Sequence, residues 1–261
     1  MSQPDSGELL ELAVVLAHSA AAVLRERPAD LDVSTKSSPT DVVTVMDRAA
    51  ERVIVEGLAA ARPSDAVVSE EGAGRSGTSG VSWLVDPLDG TVNYLYRIPQ
   101  YAVSVAAAYG GTAVCGVVVD VERDLTYTAV RGGGAFCQGA RLACSQQPDP
   151  AFALVGTGFN YDSGLRGRQA QRMPSFLPRV RDIRRMGSAA LDLCAVASGQ
   201  LDAFFEAGMQ PWDWAAAGLV ATEAGARLGG LAGSPPGTNT TLAANPVLFD
   251  ALHDLLVSSE V

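Results

Sequence analysis

The chain has 261 residues, 48% of them hydrophobic and 18% charged, enough to bury a substantial core in one large domain or two tightly joined halves. A formal net charge of −10 repels phosphate backbones, so no nucleic-acid partner is expected, and no apolar run reaches the roughly 18–20 residues that cross a bilayer. Acids precede the first apolar stretch and no basic residue comes before Arg25, so the start does not read as a secretory leader; a cytoplasmic protein with no membrane association is expected.

Residues 6–28 repeat Leu, Val and Ala at helical spacing and predict a helix packed on one face. After the polar loop STKSSPTD, Thr44 reads as the N-cap of a second helix from Val45 to Arg62, which Pro63 closes. From Ala66 to Val130 the runs AVVS, SWLVD, AVSVAAAY, TAVCGVVVD and TYTAV predict a multistranded antiparallel sheet. Within that span GAGRSGTSG, residues 72–80, reads as a flexible surface loop. The second half alternates: a polar helix near 165–182, a helix in GSAALDLCAVASG bracketed by Gly187 and Gly199, a strand in DAFFE, and helices in WAAAGLVATEAGA and 246–258. No repeat or linker interrupts the chain, so one compact α/β domain over 1–261 is expected, with sub-lobes of about 1–145 and 146–261. Arg179, Arg181, Arg184 and Arg185 form the only basic cluster, which reads as a solvated or interface face.

Absences narrow the chemistry. The two histidines, His18 and His253, fall in helices near the chain ends, which leaves almost nothing for a Ser-His-Asp or His-rich zinc site. Cys115, Cys137, Cys144 and Cys194 form no CxxC pair and are expected to be reduced thiols, and no phosphate-binding GxxxxGK[ST] is present. Catalysis, if any, falls to carboxylates, which suit hard cations such as Mg²⁺.

The segment WLVDPLDGTVNY, residues 83–94, carries the sharpest signal. An apolar strand runs into Asp86, Pro87 stops it, Asp89 follows in the turn, Gly90 permits a conformation that other residues resist, and Thr91 opens a short helix. Two acids on such a corner can face a pair of cations beside helix amides that suit phosphate; they can equally be turn residues. Glu70 and Glu71 end another strand, where paired acids are commonly just solvated. Asp213, between two tryptophans at a helix start, reads as an N-cap with an oxygen to spare. Asp47 in the first turn of helix two is either a dipole-favoured surface acid or part of the same cluster. Like charges about 4 Å apart repel by roughly 4 kcal/mol at an effective dielectric near 20, so convergence of all of these would require cations.

DVVTVMD, SEEG, WLVDPLDGTVNY, GSAALDLCAVASGQLDAFFE and WDWAAAGLVATEAG, in this order and spacing, resemble the inositol monophosphatase family over about residues 10–255. KSSPTDVVTVMD, GTGFNY and VRDIRRMGSAALDL resemble its actinobacterial inositol-1-monophosphatases in particular. The resemblance implies a layered αβαβα sandwich, a homodimer, lithium sensitivity, and two to three Mg²⁺ ions in each site of a phosphomonoesterase acting on myo-inositol 1-phosphate or a close polyol phosphate. It implies that Glu70, Asp86 and the carbonyl of Leu88 bind the first ion, that Asp86, Asp89 and Asp213 bind the second, and that Glu70 helps to hold a third. Thr91 and Asp47 would orient the attacking water, and the amides of Gly90 and Thr91 would hold the phosphate. Gly187, Ser188, Ala189 and Glu206, beside Asp89 and Asp213, would line the polyol pocket, and Lys36, the only lysine, would sit on a mobile loop near the metals. Histidinol phosphate, fructose 1,6-bisphosphate and adenosine 3′,5′-bisphosphate are rival substrates of the same chemistry, and a partner-binding scaffold is the rival of another class. Tyr94, where Phe is common, and the unusual Gln210-Pro211 before Trp212 depart from the family without removing a ligand.

Overall fold

Asp5 accepts hydrogen bonds from the amides of Gly7 and Glu8 and so starts α1 (Ser6–Arg25). By length and composition α1 could cross a membrane, contrary to the reading of the sequence, yet Leu9, Ala13, Leu16, Ala20 and Leu24 are buried and make it a core helix. The computed structural model describes residues 4–29, 31–36 and 38–258. A short hairpin of β1 (Ser34–Thr35) and β2 (Val42–Val43) leads to α2 (Val45–Ala61). Thr44 caps α2 as expected, in a reciprocal box with Asp47.

Seven strands then lie in chain order within one sheet: β3 (Ala66–Ser69), β4 (Val81–Asp89), β5 (Ala102–Tyr109), β6 (Thr112–Asp120), β7 (Leu125–Val130), β8 (Gly134–Cys137) and β9 (Ala140–Arg141). The short α3 (Thr91–Tyr96) separates β4 from β5. All neighbours are antiparallel except β3 and β4, which run parallel. The antiparallel expectation fails there because residues 70–80 cross back instead of forming a hairpin. Those residues are also no loose tether. Arg75 donates to the carbonyls of Leu58, Arg62 and Asp65, and a Cβ on Gly77 would lie 2.2 Å from the Ala66 nitrogen. Asp65, itself buried, accepts from Arg62, Ser79 and the Trp83 indole and ties this crossover to the core.

The second sheet is built from β10 (Leu154–Thr157), β11 (Asp182–Arg184), β12 (Ala203–Glu206), β13 (Arg227–Gly229) and β14 (Thr241–Ala244), in the order β11-β10-β12-β14-β13. Its helices are α4 (Ser163–Phe176), α5 (Ala189–Ala197), α6 (Pro211–Glu223) and α7 (Pro246–Ser258). The polar helix expected near 165–182 therefore stops at Phe176, and of that span only Asp182 reaches edge strand β11. Pro178, in a single 3₁₀ turn after α4, breaks the helical hydrogen bonding. The short strands β10, β13 and β14 have too few residues to declare a period, and only the tertiary context identifies them.

Helices α1 and α2 cover one face of the seven-stranded sheet, and α5 and α6 fill the space between the two sheets. Helices α4 and α7 cover the outer face of the second sheet through Phe176, Leu248, Phe249 and Leu252. The result is the expected αβαβα sandwich. The alanines of α5 and α6 let two sheets approach the same helix layer, which brings the ends of β3, β4 and β12 and the starts of α5 and α6 to one cleft.

Candidate active site

Strand β4 makes the corner of the cleft. Asp86 pairs with Ser104 but Asp89 pairs with Ala102, so the three steps on β4 oppose two on β5. Side chains alternate faces along a strand, and residues three apart would point oppositely; the extra residue returns Asp86 and Asp89 to the same side. Pro87 therefore does not stop the strand, as expected from the sequence, but sits inside this bulge, where no ladder amide is required. Asp86 is buried and accepts from the Leu88 amide at 3.1 Å. Gly90 has φ +94°, and a Cβ there would lie 3.0 Å from the Gln100 carbonyl oxygen, so the exit from the bulge demands glycine twice over.

The remaining acids arrive from other elements. Glu70 and Glu71 follow β3, and the ammonium of Lys36 reaches over from the β1–β2 hairpin to bridge them, 2.9 Å from Glu70. Burial works to lower the Lys36 pKa, but Glu70 and Glu71 outweigh it and raise it. The same hairpin touches the far wall through Thr40, whose hydroxyl donates to the Tyr161 carbonyl at 3.0 Å. Asp47 is no surface acid: it is fully buried and accepts from the Thr44 amide, the Thr44 hydroxyl and, at 2.9 Å, the Thr91 hydroxyl. Asp213 is not the N-cap of α6. Gln210 holds that place, Pro211 occupies the first helical position, and Asp213 at the third accepts from the Gln210 amide at 2.6 Å. The Gln210-Pro211 pair thus makes an ordinary helix start.

Electrostatically the cluster is under tension. Burial, followed by Glu70, Asp89 and Asp213, holds Asp86 well above the usual carboxylate range, and burial, then Glu70 and Asp89, does the same to Asp213 against the Gln210 amide. Burial pushes Asp89 up to about 6, against the Ser188 hydroxyl and the amides of Ala189 and Ala190 that it accepts from. Among the described residues no three of these acids converge closely enough to hold an ion as they stand. Lys36 engages Glu70, and the start of α5 engages Asp89. The donor set nevertheless fits a hard divalent cation: it is all oxygen, largely buried, and faced by a single ammonium.

The cleft measures about 490 Å³. Gly187 (φ +89°), Ser188 and Ala189 form one wall, where Ser188 caps α5 and donates to Asp89. Glu206, at the end of β12, faces it, and burial pushes its carboxyl up to about 7 with Asp89 adding and Arg185 opposing. Both histidines are elsewhere: His18 meets Thr126, and His253 meets Asp254 and the Ala232 amide. All sequence-predicted site residues thus surround one cleft, Asp47 and Ser188 from just behind its wall.

The sequence model of the inositol monophosphatase family matches residues 5–259. The chain belongs to the inositol monophosphatase family. A Mycobacterium tuberculosis protein named inositol-1-monophosphatase SuhB is 44% identical, over 87% of this chain and 86% of its own. A Pasteurella multocida protein named Nus factor SuhB is 39% identical over 83% of each. The crystal structure of the extragenic suppressor protein suhB from Bartonella henselae superposes with a TM-score of 0.90 at 34% identity, covering 95% of this chain and 98% of that one. Membership makes the chain a phosphoric monoester hydrolase that depends on metal ions.

Family motifs did not single out every residue of the cleft. Gly158 and Asn160 line it from the GTGFNY segment, and Arg185 lines it from the basic cluster. That cluster divides: Arg184 pairs with Asp182, Arg181 donates to the Phe152 carbonyl, and Arg185 reaches the site. Its place directly before Met186-Gly187 was the available signal. Asp192, buried within α5 with one oxygen lacking a partner and pushed up to about 8 by burial and then Asp89 and Glu206, was legible only as a helix residue.

Proposed function

We propose that the chain hydrolyses myo-inositol 1-phosphate, or a close polyol phosphate, to the free polyol and inorganic phosphate with two to three Mg²⁺ ions. Glu70, Asp86 and the Leu88 carbonyl would hold one ion, Asp86, Asp89 and Asp213 a second, and Glu70 would help with a third. Bound there, such ions acidify water and neutralise the attacking and leaving oxygens. The observation that carries the reading is the buried Thr91–Asp47 pair beside these acids. With its hydroxyl proton directed at Asp47, the Thr91 oxygen is free to accept a proton from a water in the cleft, so the pair orients that water and can take up its proton. Gly90 and Thr91 would present backbone amides to the phosphate, while Gly187, Ser188, Ala189 and Glu206 would receive the polyol.

The inositol assignment is supported by the 44% identity to a protein of that name and by Glu206. Among the described residues no donor reaches its carboxylate, whose lone pairs are left to hydroxyl groups and would repel a second phosphate. Exposed Tyr96 and Ile98 beside Met186 support the homodimer of the family, which light scattering tests. The 39% identity to a protein named Nus factor supports a second reading, in which the chain also binds a partner protein. The deciding experiment is phosphate release with Mg²⁺ from myo-inositol 1-phosphate, histidinol phosphate, fructose 1,6-bisphosphate and adenosine 3′,5′-bisphosphate. Preference for a bisphosphate would refute the substrate, and turnover that survives exhaustive chelation would refute the mechanism.

A further inference from the structure

The Glu206 carboxylate lies directly over Gly158: a Cβ built there would fall 2.0 Å from Oε2 and 2.2 Å from Oε1. Gly158 is buried in the stretch that follows β10, which pairs with β12, so the two residues are neighbours by sheet registry. Its backbone is not in the left-handed region, so glycine is needed there for space and not for conformation. Across the cleft stands Arg185. Two cations line the cavity, Lys36 and Arg185; Lys36 is bound to Glu70 and Glu71, whereas the Arg185 guanidinium makes no hydrogen bond among the described residues. It rests against Gly187, 2.9 Å from where a Cβ on that residue would lie, and its field opposes the charge of Asp89 on Glu206.

We propose that Arg185 and Gly158 are specificity-determining residues of the polyol pocket: Arg185 donates to a ring hydroxyl oxygen while Glu206 accepts from a neighbouring hydroxyl, and Gly158 supplies the flat floor that keeps the Glu206 carboxylate in place. This rests on the polyol reading above. A guanidinium has donors only and a carboxylate acceptors only, so the pair matches two adjacent hydroxyls, each of which can both give and take a hydrogen bond. A carboxylate without hydrogen bonds of its own stays where its neighbours leave room, and at Gly158 that room is one missing methyl group. Gly158→Ala thus moves the working end of Glu206 without altering residue 206. Because the displaced atoms end a flexible side chain, the fold survives.

The test compares kcat and KM for myo-inositol 1-phosphate and for cyclohexyl phosphate, which has the ring but no hydroxyls, in the Mg²⁺-loaded protein. Arg185→Ala should raise KM for the inositol ester by about tenfold, the value of one charged hydrogen bond, with kcat within about twofold and cyclohexyl phosphate unaffected. Arg185→Lys should recover part of the loss. Gly158→Ala should act in the same direction at an unchanged melting temperature, and in combination with Glu206→Gln it should add nothing, because both act through one carboxylate. Equal losses on the two substrates, additive losses in the double variant, or an Arg185→Ala effect that tracks a change of oligomeric state by light scattering would overturn the proposal. Failure of the underlying reading shows in the wild type, as cyclohexyl phosphate turnover without inositol phosphate turnover, and takes this proposal with it.

Discussion

Asp89→Asn separates stability from activity. In the structure the Asp89 carboxylate accepts from the Ser188 hydroxyl and from the amides of Ala190 at 2.8 Å and Ala189 at 3.3 Å. Even so, burial carries its pKa from an ordinary 3.8 to about 6. That rise corresponds to about 3 kcal/mol held against the folded state when the group is charged. Water reaches the cleft side of the group, and an amide NH₂ cannot accept the bonds one oxygen takes now, so a net gain of about 1–2 kcal/mol is expected. The sign follows from the direction of the rise. A carboxyl that binds its proton more tightly when folded destabilises the fold above its folded pKa, and stability recovers as pH falls from about 6 towards 3.8. In chelator at pH 8 the variant should therefore melt about 2–6 °C above the wild type. The advantage should shrink between about pH 6 and 3.8 and vanish below. With Mg²⁺ present the order should reverse, and turnover should fall by at least ~10³-fold, since neutralising leaving-group charge is worth several kcal/mol. A chelated variant that melts at or below the wild type at pH 8, or one that keeps near-normal turnover, refutes the reasoning.

Thr91→Val removes the hydroxyl that Asp47 orients and should lower kcat by about 10²–10⁴-fold with KM little changed, as steady-state kinetics would show; a large KM effect would assign Thr91 to substrate binding. Glu206→Gln should weaken kcat/KM for myo-inositol 1-phosphate by about 10–100-fold and spare glycerol phosphate, and equal losses would make Glu206 a support of the metal site or the fold. Asp65→Ala should cost about 2–3 kcal/mol in urea unfolding, because it strands the buried Trp83 indole N–H. The Asp65 pKa is lowered, so the charge-dependent part of its stabilisation is full above 3.8 and is lost as pH falls through the folded value; a cost that does not shrink at all on acidification below 3.8 would contradict it. Gly77→Ala drives a methyl group into the Ala66 backbone and should destabilise by about 1–3 kcal/mol, whereas a neutral result would restore the flexible reading of residues 72–80.

Local chemistry made much of this protein legible. Helix starts at Asp5, Thr44 and Ser188 lie where their side chains can cap amides nearby in sequence, and the long apolar strands β4 to β7 show their own pattern. Elimination narrowed the candidates too: both histidines bond to residues outside the cleft, which leaves its carboxylates as the candidate groups for the chemistry. What depended on partners distant in the chain was not legible. The parallel entry of β3, the ordered crossover held by Arg75, and the edge strand β11 each rest on hydrogen bonds to residues that no local window contains. The same holds inside the site. Asp86 and Asp89 share a face because β5 offers one residue fewer than β4 at Pro87, and Asp47 is a buried acceptor because Thr91, forty-four positions away, turns its hydroxyl towards it. Arg185 and Gly158 line the cleft because packing of the two sheets on a common helix layer carries β10, β12 and the start of α5 to it. The sequence by itself determined which groups could do chemistry; the tertiary structure decided which of them meet, because a side chain's neighbours are set by strand register and layer packing and not by its position along the chain.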